Sequence, residues 1–294
     1  MGVLPPPAEG HRSRGEREAR VPAWICETCG VQHAETPRPP DRCAVCEDER
    51  QYVGWGGQRW TTAGDLARGH TTVLREEEPG LLGVGVEPAV AIGQRALLVR
   101  TPHGNVLWDC VPLLDDAARR ALAELGGISV VCMSHPHFYA AHVDVADAFD
   151  ARVLLPRADR AWIRRPSPRI ELYDDVVEPV PGLTLARIGG HFDGASVLHW
   201  PDGADGRGAL LTGDTITVVP DRDWVSFMWS YPNLIPLDER TVQDIARRVE
   251  RYAFDRVYGG WWGRVVVRDG AAAVRRSADR YRARLRGERP PGAE

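Results

Sequence analysis

The run Ile128-Ser129-Val130-Val131-Cys132-Met133 is apolar on both of its alternating faces and passes directly into Ser134-His135-Pro136-His137-Phe138-Tyr139. A strand of that kind belongs inside a sheet that is covered on both sides, so it commits the chain to stacked layers of sheet and helix. Two histidines one residue apart on extended backbone project to the same side, and both imidazoles reach one point. That point suits a metal ion.

The flanking sequence fits such layers. The stretch ALLVRTPHGNVLWDC reads as two strands joined at Pro102-His103-Gly104-Asn105, and a helix over about 115–125 stops at Gly126-Gly127. After the histidine motif come a helix through VDVADAFD, a strand ARVLLP, and further strands in LTLARIGGHFDGASVLHW and GALLTGDTI. An amphipathic helix ERTVQDIARRVERYAF, a last strand DRVYGG and a terminal helix over roughly 271–286 complete the pattern, an α/β sandwich.

With 294 residues, 43% of them hydrophobic, the chain can bury a large core. A formal charge of −4 gives no general reason to expect nucleic acid or an anionic membrane surface as partner. All 37 basic residues are Arg, which excludes Schiff-base lysine chemistry and a phosphate loop ending in Gly-Lys. No apolar stretch approaches the ~20 residues that span a bilayer. The first segment, MGVLPPPAEGHRSRGEREAR, has no hydrophobic stretch of signal-peptide type, so residues 1–20 are expected to be a disordered tail and the protein cytoplasmic.

A separate small module is expected over residues 21–60, where Cys26, Cys29, Cys43 and Cys46 form two CxxC pairs around a thirteen-residue spacer. Each pair wraps a turn that aims two thiolates at one ion, and four thiolates complete a tetrahedral shell. So short a segment needs that ion for much of its folding free energy. It resembles a zinc ribbon or a rubredoxin. Gly30 follows the first pair as in rubredoxins, but Ala44 and Glu47 stand where Pro and Gly are usual, which favours structural Zn2+ over iron.

The remainder, 70–294, carries metal-type side chains at several strand ends: His135 and His137, His191 in GGHFDG, Asp214 in LLTGDT, and Asp109 after NVLW. Imidazoles with a carboxylate suit Zn, Fe or Mn. The order of these segments resembles the metallo-β-lactamase superfamily, which implies a four-layer αβ/βα sandwich with metal at the sheet edge. The resemblance covers roughly residues 80–270. It assigns His135, His137 and His191 to the first metal site and Asp214 to the bridging carboxylate. The family motif HxHxDH reads here His135-Pro136-His137-Phe138-Tyr139-Ala140, and Gly260, Trp261 and Trp262 stand where a last His is usual. All positions private to the second ion are replaced, so a mononuclear Zn2+ or Fe2+ centre is expected. His142, His199, His103, His70 and His33 are read as surface or satisfied core histidines.

The family implies hydrolysis by metal-activated water, oriented by Asp214; Tyr139, by its phenol, is a candidate proton donor or else fills the volume vacated by the second ion. The alternative is a mononuclear iron oxygenase or sulfur-redox enzyme resembling persulfide dioxygenases; a third reading is a binding protein with a degenerate site. Trp224, Phe227, Trp229 and Tyr231, with Trp261 and Trp262, are expected to line a pocket for a small apolar or aromatic ester, thioester, lactone or amide, or to form a homo-oligomer contact. Arg164, Arg165 and Arg169, near Pro166 and Pro168, read first as a solvated Arg-rich loop and otherwise as a contact for an anionic substrate. The lack of second-ion ligands argues against a two-metal nuclease.

Overall fold

The computed structural model describes residues 21–289; the expectation of a disordered tail over 1–20 lies outside them. Seven strands form one sheet, in the order Ile170–Tyr173, Arg152–Pro156, Val130–Cys132, Val106–Trp108, Ala96–Val99, Leu81–Glu87, Thr71–Glu78. Six form a second, in the order Val176–Val177, Thr184–Arg187, Ser196–Trp200, Ala209–Leu211, Arg256–Tyr258, Val265–Val266. The hairpins read in the sequence give antiparallel pairs early in the first sheet, and the helical crossovers give parallel ones later.

Alternation along each strand sorts side chains between layers. Leu97, Val130, Cys132 and Leu154 from the first sheet meet Leu185, Leu198, Leu211 and Tyr258 from the second in one core between the sheets. Their sequence neighbours face outward. Leu98, Val131 and Val153 pack with Ala118 and Leu122 of the helix Asp116–Glu124 and Val145 of the helix His142–Phe149. Val197, Leu210 and Val257 pack with Val242 and Ile245 of the helix Glu239–Val249 and Val274 of the helix Gly270–Leu285. The result is helix, sheet, sheet, helix: the four-layer αβ/βα sandwich.

The four-Cys segment builds its own three-stranded sheet from Gln32–Glu35, Ala23–Cys26 and Trp60–Thr61. Its buried cluster is the four cysteines with Val31 and Val45, with Trp60 and Trp162 packed against them. The segment docks on the sandwich through backbone bonds from Gln32 to Ala140 and from Ala34 to Arg164. Arg165, instead of meeting a ligand, is buried in this joint and donates to Gln32, Glu35 and Asp144. Arg169 is likewise engaged, pairing with Asp147 and Asp150. No helix among the described residues is long and apolar enough to cross a membrane.

Candidate metal centre

Strands of both sheets deliver side chains to one edge. His135 follows Val130–Cys132, His191 follows Thr184–Arg187 and Asp214 follows Ala209–Leu211. The histidine pair converges by a route other than strand alternation. His135 is extended, with φ −169° and ψ 168°, but Pro136–Phe138 turn as a 3-10 helix. Pro136 at the first helical position presets that turn, and His137 swings back toward the ring of His135.

One ligating atom from each of His135, His137, His191 and Asp214 lies within 4.8 Å of the others. Asp214 Oδ2 is 3.5 Å from His135 Nε2 and 3.9 Å from His191 Nε2, and His191 Nε2 is 3.4 Å from His137 Nδ1. All four residues are buried. His191 Nδ1 donates to the Met228 carbonyl at 3.0 Å, which leaves Nε2 bare and facing the cluster, and Ser134 Oγ meets His135 Nδ1 at 2.9 Å. Gly213 permits the approach of Asp214: its φ is +56°, and a Cβ there would stand 2.4 Å from Ser134 Oγ.

The electrostatics fit a cation. Burial and the neighbouring imidazole of His135 lower the His191 pKa to about 4. Burial, with His135 and His191 alongside, holds His137 well below the ordinary imidazole value. Burial opposes ionisation of Asp214, but the His135 imidazole 3.5 Å away, with His191 beyond it, outweighs burial and holds the carboxyl below its usual value. Neutral imidazoles and an ionised carboxylate are the ligand states a divalent ion takes. His135 Nε2, facing Asp214, is buried without a hydrogen-bond partner among the described residues, a costly arrangement that an ion would relieve. Asp109 lies behind the cluster, accepting from the Ser134 N–H at 2.7 Å, with burial pushing its carboxyl up to about 8.

The second cluster is Cys26, Cys29, Cys43 and Cys46. The Cys26–Cys46 and Cys29–Cys43 sulfur separations are 3.5 and 3.8 Å. A tetrahedron of thiolates at ~2.3 Å from an ion has edges of ~3.8 Å, so the set fits one ion. Gln58 Nε2 donates to Cys26 Sγ at 3.1 Å, and His33 Nε2 lies 3.5 Å from Cys43 Sγ. His33 therefore belongs to this cluster's surroundings, a role that sequence distance from the other histidines concealed.

The aromatic set divides. Tyr231 stays at the site, its hydroxyl donating to the Asp214 carbonyl at 2.8 Å and its ring 5.8 Å from that of His191. Trp229 also stays, bonded to Glu49 of the cysteine segment at 2.8 Å. Phe227 does not: it is fully buried against the outer helices. Trp224 is held against the terminal helix by Arg280, 3.5 Å from its ring centroid. Trp262 lies over Gly83 and Gly85, between Arg75 and Arg95. Trp261 donates to the Ile92 carbonyl at 3.0 Å and backs Phe138. Tyr139 is turned into the core beneath the first sheet, its ring 5.7 Å from that of His142, its hydroxyl without a partner among the described residues and pushed by burial well above the usual phenol value. That environment disfavours proton donation to the imidazole cluster and takes Tyr139 out of the catalytic set.

Two contributors gave no sequence signal. Phe192 stands 5.0 Å from the His137 ring, 5.2 Å from His191 and 5.8 Å from His135. Arg50, from the turn after Cys46, donates to the His191 carbonyl at 3.2 Å. An Arg in a charged CEDER stretch reads as solvated surface; only the docked segment reveals it.

No family model matches the chain. A protein of Bacillus subtilis (strain 168), the uncharacterized protein YmaE, is 47% identical over 264 residues, covering 89% of this chain and 96% of its own. Among solved structures, VMB-1 at pH 5.5 superposes with a TM-score of 0.55 at 13% identity, over 73% of this chain and 98% of its own. The DIM-1 metallo-beta-lactamase superposes with a TM-score of 0.54 at 12% identity, again over 73% and 98%.

Proposed function

The chain belongs to the family of the Bacillus subtilis protein YmaE and has the metallo-β-lactamase fold, and from that premise we propose that it is a single-metal hydrolase of a small apolar or aromatic ester, thioester, lactone or amide. The packing of Phe138 carries the single-ion reading. Its ring lies 4.5 Å from that of His135 and 5.6 Å from Trp261, and a Cβ on Gly260 would stand 2.6 Å from it. The ring thus fills the space between the imidazoles and the segment that would have to supply a further ligand.

His135, His137, His191 and Asp214 would hold the ion. When bound, it supplies Lewis acidity and draws the pKa of a water toward ~7. The chain supplies the rest. The Asp214 carboxylate would orient the attacking water; the Met228 carbonyl and Ser134 hydroxyl keep His191 and His135 oriented. Phe138, Phe192 and Tyr231 pack around the imidazoles, and with the cysteine segment they exclude bulk water from them, an apolar setting that favours a small apolar substrate.

A second reading, a mononuclear iron oxygenase or sulfur-redox enzyme, is favoured by one observation. Trp162 packs on the cysteine cluster and meets Phe192 at 5.5 Å, so aromatic rings run from one metal cluster to the other. Elemental analysis of protein produced without added metal separates the readings. About two zinc ions per chain, one per cluster, is the result expected of the hydrolase; iron at the histidine cluster selects the redox enzyme, and metal at the cysteines alone overturns both. His191→Ala is expected to lose one metal equivalent while the cysteine ion stays.

A further inference from the structure

Arg50 comes four residues after Cys46 and is only 7% exposed. A buried guanidinium persists only when its charge and donors are matched. Asp48 matches it with a fork, Nε to Oδ1 at 2.6 Å and Nη2 to Oδ2 at 2.9 Å. The remaining nitrogen, Nη1, donates to the His191 carbonyl. The guanidinium carbon, Cζ, lies 3.7 Å from the Phe192 ring centroid and 4.5 Å from that of Trp229. Around it, Trp229 bonds Glu49, and Asn233 Nδ2 donates to the Glu49 and Gln51 carbonyls at 2.8 and 3.1 Å. The turn 48–51 is therefore fastened to the loop that carries His191 and to the loop that follows Asp214.

That turn has little to hold its shape by itself. Its parent segment's own cluster holds only four cysteines and two valines, with Trp60 and Trp162 alongside, Ile25 being buried in the sandwich core instead; that is too few to keep a fixed form without an ion. We propose that Arg50 is a positioning residue through which an ion at the four cysteines raises the affinity of the His135, His137, His191 and Asp214 cluster for its own ion. The proposal rests on the reading of that cluster as a metal site. With the cysteines loaded, the turn holds Arg50 against the backbone of His191 and the face of Phe192, and the imidazole is ordered in advance. With them empty, the incoming ion must do that ordering itself, at the expense of affinity. A bare positive charge here would oppose a cation; the Asp48 fork cancels it and leaves the positional effect. Coupling of this kind is reciprocal and typically ~5–150-fold.

The test is a chelator-competition titration with cobalt(II), whose thiolate charge-transfer bands report the cysteine site and whose ligand-field bands report the histidine site. Four full-length proteins complete the cycle: wild type, Cys43→Ser/Cys46→Ser, Arg50→Ala and the combination. Loss of the cysteine ion is expected to weaken cobalt binding at the histidine site about tenfold when Arg50 is present and less than about twofold in the Arg50→Ala background. An equal loss in both backgrounds overturns the role of Arg50, and no loss with Arg50 present overturns the coupling. Absence of cobalt from the histidine cluster of the wild type instead overturns the metal-site reading. Should Arg50→Ala not fold, Trp229→Phe keeps a ring over the guanidinium but drops the bond to Glu49, and is expected to reduce the coupling to roughly threefold; unchanged coupling there overturns the proposal.

Discussion

Gly213 shows how narrowly single residues set the site. Its positive φ and the 2.4 Å approach of a hypothetical Cβ to Ser134 Oγ mean that Gly213→Ala must push the hydroxyl from its place 2.9 Å from His135 Nδ1. The variant is expected to lose roughly 1–3 kcal/mol of stability, read by urea unfolding, and to bind the second metal equivalent more weakly. Asp159 gives a pH prediction. Its Oδ1 accepts the Gly194 N–H at 2.8 Å, its Oδ2 has no partner among the described residues, and burial pushes its pKa from 3.8 up to about 7. The folded chain therefore holds a proton that the unfolded chain releases, and stability contributed by the neutral form falls as pH rises from about 3.8 to about 7. Asp159→Asn is expected to flatten that fall, so that its stability advantage over wild type grows between pH 5 and pH 7 in urea melts; a constant offset would count against the assignment. At this scale His135, His137, His191 and Asp214 were legible because metal-type side chains beside strand ends and glycines leave a local trace. Arg50 was not, since what makes it matter is a contact with His191, 141 positions away in the chain, and Phe192 was not, since an apolar residue beside His191 does not show that its ring meets those of His135 and His137.

Among elements, the helices announced themselves by period and cap. Asp115 caps Asp116–Glu124 by accepting from the Ala118 N–H at 2.8 Å, and its other oxygen accepts from the Thr72 N–H at 2.7 Å. Asp115→Ala removes both, and thermal or urea unfolding should show a loss of about 1–2 kcal/mol. The segment 221–237 was misread for a physical reason. It forms short hairpins pairing Thr217–Val218 with Val225–Ser226 and Met228–Ser230 with Ile235–Pro236. Phe227 falls between the two hairpins and is fully buried in the outer core, while Trp229, beside the irregularity in the second hairpin, is only partly buried against the same cluster. Both faces of such a hairpin are apolar, so composition alone cannot tell a core residue from a wall of the site.

For the whole molecule, two layers of helix around two sheets were readable because each strand's alternate residues are apolar for different neighbours. The docking of the cysteine segment was not, because its joint is polar: Arg165 bridging Glu35, Asp144 and Gln32 looks in sequence like one of several solvated arginines. Arg165→Ala is expected to loosen the joint by roughly 1.5–3 kcal/mol, visible as faster proteolysis within residues 21–60 while the sandwich stays intact. The ring of Phe138 against Gly260 has a consequence of its own. Supplying a histidine at Gly260 would not by itself make room for another cation, since the new side chain would collide with the phenyl group, and shrinking Phe138 alone would leave a void costing ~3–5 kcal/mol. On the proposed single-ion reading, a two-ion site would need both exchanges at once, with new donors at Tyr139 and Ala140 besides, so occupied volume would bar a companion ion even where donors were supplied.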